Sequence, residues 1–82
     1  MIELEEAEIK AAYKLLKPIK NGMVTVVFRN RLGEIIEEDD DDILLDIEEE
    51  LINQGWIHQD LKSRLLTPTK KLLARYGQNI NH

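Results

Sequence analysis

The chain has 82 residues, 43% of them apolar, carries a net charge of −5 and contains no cysteine. That length supports one domain with one modest core, lowers the prior for a deep enzyme cleft, and the missing thiols exclude disulfides, zinc–thiolate sites and a thiol nucleophile. No apolar run approaches the roughly 20 residues that span a bilayer, and the opening MIELEEAEIK is acidic where a signal peptide is basic and then apolar, so a soluble, cytoplasmic protein is expected.

The charge is segregated along the chain. Residues 1–20 balance four Glu with four Lys, and residues 21–33 add Arg29 and Arg31. Residues 34–50 hold eleven acids and no base, whereas residues 51–82 hold five bases against Asp60. One end of a net acidic molecule is therefore locally basic.

In chain order, Glu3–Lys17 reads as a helix, with Ile9, Ala12, Tyr13 and Leu16 on one face. Its acids come early and its lysines late, which suits the helix dipole, and Pro18 and Asn21-Gly22 end it. Met23–Glu34 admits two readings. Val24, Val26, Val27 and Phe28 have the propensity of a strand. Alternatively Met23-Val24 is a short strand, Thr25 a helix N-cap, and Val26–Leu32 a two-turn helix closed by Gly33 at C′. The four-residue spacing of Phe28 and Leu32, the cap and the glycine favour the helix. Glu34–Asp42 reads as a solvated linker or the mouth of the next helix, with Ile35 and Ile36 keeping it against the core. Ile43–Gln54 is a helix with Ile43, Leu44, Ile47 and Leu51 in one stripe, flanked by Leu45 and Ile52, and Gly55 at C′. Trp56-Ile57-His58 and Leu65-Leu66-Thr67 are the two strands of a hairpin around the polar tip Gln59–Ser63. Thr67 as N-cap and Pro68 at N1 start a last helix whose inner face is Leu72, Leu73 and Tyr76. Gly77 ends it, and residues 78–82 are expected to form a disordered tail beyond a single domain over 1–77.

Helix, short strand, helix, helix, strand, tip, strand, helix is the order of winged-helix domains. Leu51, Ile52, Gly55 and Trp56, the basic pair Lys62 and Arg64, Thr67, and Leu32-Gly33-Glu34 together resemble the C-terminal domain of the bacterial Holliday-junction branch-migration motors. Ser63 and Leu61 depart from that family's wing glycine and proline, the link into the third helix is longer and acidic, and no P-loop pattern occurs. The resemblance covers about half the chain. It implies an α+β fold: a small winged-helix domain with a three-helix core, a two-stranded wing hairpin and a C-terminal helix. It also implies a DNA-associated or transcription-regulating role, and homodimerisation through the first helix, a habit of small winged helices.

Winged helices read bases with the third helix. Here that helix carries Asp46, Glu48, Glu49 and Glu50 behind the Asp run, and such a surface repels phosphate. Lys62, Arg64, Lys70, Lys71 and Arg75 are the alternative nucleic-acid contacts, along the wing and last helix. A competing expectation makes the acids the active feature: Asp39, Asp40, Asp41, Asp42, Asp46 and Glu49 dock on a basic protein surface, even as a nucleic-acid mimic. Trp56 is expected to close the core and His58 to be exposed. The Asp run lacks the alternating ligands and central glycine of a calcium loop, and no catalytic or cofactor motif stands out. A non-enzymatic binding module without cofactor or metal is the expectation.

Overall fold

A computed structural model describes residues 3–77. The first helix, α1 (Glu6–Leu16), begins where the Glu5 amide donates to Glu8 Oε1 at 2.9 Å and stops two residues before Pro18. Its buried arc is Ile9, Ala11, Ala12, Leu15 and Leu16, wider than expected, while Tyr13 is only half-buried. The small side chains of Ala11 and Ala12 allow close helix approach there. Lys10, Lys14 and Lys17 stay exposed on the outer face.

Met23 makes a one-residue bridge to Leu66, exchanging both backbone hydrogen bonds at 2.9 Å. The second helix, α2 (Thr25–Ile36), confirms the helical reading but corrects both of its ends. Val24, not Thr25, is the N-cap residue, and no side chain caps it. Gly33 lies inside the helix rather than past it; the left-handed terminal residue is Glu37, at φ 60°. Ile35 and Ile36 accordingly belong to α2 and not to a linker, and Ile35 is 45% exposed.

The acidic run serves as the mouth of the third helix, α3 (Asp41–Asn53), where the Asp42 amide donates to Asp40 Oδ1 at 2.9 Å. Leu44, Ile47 and Leu51 are buried as expected, but Ile43 at the stripe's start and Leu45 beside it are exposed. The exit follows the predicted glycine stop. Gly55 has φ 81°, its amide donates to Ile52 O at 3.0 Å, and the Trp56 amide donates to Leu51 O at 2.9 Å.

Strands β1 (Ile57–Gln59) and β2 (Leu66–Pro68) pair antiparallel, with His58 opposite Thr67. Thr67 and Pro68 therefore lie in the strand and do not open the last helix, α4 (Lys70–Gly77). The cap is Thr69, whose Oγ1 accepts from the Leu72 amide at 3.3 Å and whose hydroxyl faces Gly55 O and Trp56 O at 2.6 and 2.9 Å. This one side chain ties the start of α4 to the end of α3. Thr69→Ala should lower stability by about 1 kcal/mol in denaturant melts, whereas Thr67→Ala should cost less.

Phe28, Leu16, Leu32, Ile47, Leu51, Ile57, Leu66 and Leu72 are fully buried and join all four helices to the hairpin in one core. Leu73, expected inside, is 39% exposed. The result is a small α+β domain of four helices and a two-stranded hairpin. No helix among the described residues is long and apolar enough to cross a membrane. The expected tail, residues 78–82, lies outside the described residues.

Candidate nucleic-acid interface and the acidic face

The hairpin tip is organised around one carboxylate. Asp60 accepts the amides of Lys62 at 3.0 Å and Ser63 at 2.8 Å, while its own carbonyl accepts the Arg64 amide at 2.8 Å. The Asp60 amide closes the loop onto Leu65 O at 3.0 Å, and Arg64 takes the left-handed conformation, φ 65°. Those donors, the Ser63 amide foremost, hold the Asp60 carboxyl below its ordinary range. A turn so bonded presents its side chains from a fixed backbone. Lys62 and Arg64 project from it into solvent, and Leu61 is 91% exposed beside them.

The five bases do not form one group. Lys62, Arg64 and Lys70 are exposed and make no ion pair among the described residues. Lys71 is exposed but engaged: its Nζ donates to Gln54 O at 2.6 Å and lies 4.2 Å from the centre of the Trp56 ring. That position places a cation at the negative end of α3 and over an aromatic face. Arg75 is paired with Glu6, Nη2 to Oε1 at 2.5 Å and Nε to Oε2 at 3.2 Å, and the Tyr76 hydroxyl donates to the same carboxylate. The Arg75 hydrogen bond is the main reason that the Glu6 carboxyl is held below its ordinary value. Burial, then the bond to Glu6, pushes the Tyr76 hydroxyl up.

Trp56 is half-buried: it packs against the core, donates Nε1–H to Gln54 Oε1 at 3.1 Å, and also faces Lys71 and Arg75. With Glu6, Ala74 and Tyr76 these residues line a cleft of about 570 Å³. His58 is exposed, as expected.

Asp39, Asp40, Asp41, Asp42, Asp46 and Glu49 are all exposed, and none is ion-paired among the described residues. Glu48 does not join them. It is 4% exposed and receives Arg29 Nη1 at 3.0 and 3.2 Å, a bridge between α3 and α2 that the sequence reading missed. Burial raises the Glu48 carboxyl above its ordinary value although the Arg29 charge opposes this. No three His, Asp or Glu side chains among the described residues converge as a metal-ligating group.

Comparison with known protein families, characterised proteins and solved structures gave no match.

Proposed function

We propose that the domain is a winged helix acting as a non-enzymatic, cytoplasmic binding module. Its ligand is the backbone of DNA, and its contacts are the wing residues Lys62 and Arg64 with Lys70 beside them. The order of α1, the Met23 bridge, α2, α3, the hairpin and α4 supports the winged-helix reading. The observation that carries the ligand is that these three side chains are exposed and, among the described residues, make neither an ion pair nor an internal hydrogen bond, two of them on a turn braced by Asp60. The same pattern on α3 argues against groove reading by that helix, whose outer face is carboxylate. A wing-first mode gives sequence-tolerant, salt-sensitive binding through phosphates. Lys62→Glu with Arg64→Glu should abolish retention of duplex DNA at low salt while leaving the melting curve in place. Retention unchanged by that double reversal rules the wing out.

A second reading is favoured by the six exposed carboxylates that make no ion pair among the described residues: that face docks on a basic partner protein. Reversing Asp41, Asp42 and Asp46 to Lys separates the two. It weakens protein docking under this reading and strengthens DNA binding under the first.

A further inference from the structure

Glu6 stands out because three donors of α4 converge on this one surface carboxylate of α1. Arg75 gives it Nε–H and Nη2–H, and Tyr76 gives its hydroxyl, across 69 and 70 residues of sequence. Both side chains of the ion pair are about half exposed, 47% for Arg75 and 54% for Glu6, so water and dissolved anions reach it. An exposed pair of this kind holds weakly. The neighbourhood is otherwise that of an anion site. The Arg75 guanidinium lies 5.7 Å from the Trp56 ring centre and the Lys71 ammonium 4.2 Å from it, in the same open cleft. A carboxylate held by the arginine fork takes up the donor positions that two non-bridging oxygens of a phosphodiester would occupy.

We infer that Glu6 is an internal competitor for the DNA backbone at Arg75, so that the α1–α4 junction is a second phosphate contact kept closed by the protein's own carboxylate. The inference rests on the wing reading, which supplies the DNA that reaches the junction. No covalent step is involved. In the unmodified protein the Arg75 fork stays on Glu6, and with that carboxylate gone it is free for one phosphate. Arg75 therefore adds little to the salt dependence while Glu6 holds it.

The test is duplex DNA binding, measured across a salt series, for the unmodified chain, Glu6→Gln, Arg75→Gln and the double variant. Glu6→Gln should bind about two- to fivefold more tightly, the fold-change that corresponds to losing a weak exposed pair. Its plot of log K against log salt should steepen by about 0.9, one further phosphate. In the Arg75→Gln background the same change should alter neither quantity. Tyr76→Phe keeps both charges and loosens the carboxylate, so it should move affinity in the same direction by a smaller factor. If the unmodified chain binds and Glu6→Gln matches it in affinity and slope, the inference is wrong and the wing reading stands. An effect of Glu6→Gln that persists without Arg75 also overturns it, because it then reports net charge alone. If neither the unmodified chain nor Glu6→Gln retains DNA at low salt, both readings fall together.

Discussion

Arg29→Ala should destabilise the domain by about 3 kcal/mol, a large share of the few kcal/mol by which a chain of this size stays folded. The reason is the carboxylate left behind. Glu48 sits on α3 among Leu44, Ile47 and Leu51, is 4% exposed, and has Arg29 as its only side-chain partner among the described residues. Removing the arginine strands a buried charge, and its desolvation is then uncompensated. Replacing both residues, Arg29→Met with Glu48→Leu, should be neutral or stabilising, because the pair itself is a costly way to fill that space. Denaturant melts of the single and double variants distinguish this account from simple loss of arginine packing, which would make the double variant as unstable as the single one.

The same pair sets a pH signature. The Glu48 carboxyl is raised above its ordinary value of 4.5 because burial outweighs the attraction of Arg29. A raised carboxyl means that the folded state holds its proton more firmly than the unfolded one. Its contribution to stability is present at low pH and is lost as pH rises through the folded-state pKa. Without Arg29 the carboxyl rises further, so the deficit of Arg29→Ala should shrink as pH falls from 7 towards 5. Glu6 and Asp60 run the other way. Their lowered carboxyls contribute stability above the ordinary values of 4.5 and 3.8, which is lost as pH falls through their folded-state pKa values. The acid rescue should therefore reverse at lower pH.

Gly33→Ala should cost about 2–3 kcal/mol, although alanine is the better helix former by about 1 kcal/mol. A Cβ at residue 33 would lie 2.5 Å from the Glu38 carbonyl oxygen and 3.0 Å from Leu44 Cδ1. The leucine terminus can swing aside, but the carbonyl cannot. Its turn is fixed by the Glu38 amide donating to Gly33 O at 2.9 Å and the Asp40 amide donating to Glu38 Oε2 at 3.0 Å. The missing side chain at Gly33 is what lets the acidic turn fold back under α2 and deliver Asp40 as the cap of α3. A Gly33→Ala variant as stable as the parent in denaturant would mean that this close approach is absent.

What could be read from the residues was what depends on near neighbours. The apolar spacing within α1 and α3, the glycine stop at Gly55 and the polar break between two short apolar runs are local signals, and the corresponding elements appear where they point. Gly33 misled because one residue type serves both as a helix terminator and as a place where another backbone comes close. The four-residue step from Leu32 to Ile36 was the available hint that α2 continues. Thr67 and Thr69 flank Pro68, and a proline next to a threonine suggests a helix start as readily as an edge strand. Only the pairing of Ile57 with Pro68 decides between them. The candidate interface was less legible, because what removes Lys71 and Arg75 from it lies 17 and 69 residues away, on Gln54 and Glu6. Glu48, by contrast, was within reach. Its place with Leu44, Ile47 and Leu51 at helical spacing puts a carboxylate on the buried stripe, and such a residue demands a base.

The central claim is that three cations, Lys62, Arg64 and Lys70, meet the DNA backbone while Lys71 and Arg75 remain bound to their own chain. The salt dependence of duplex binding counts them. Three phosphates at about 0.9 each give a slope of about −2.7 in log K against log salt for the unmodified protein. No retention at low salt would contradict the claim outright. A slope near −4.5, the value for about five phosphates, would contradict the internal roles assigned to Lys71 and Arg75.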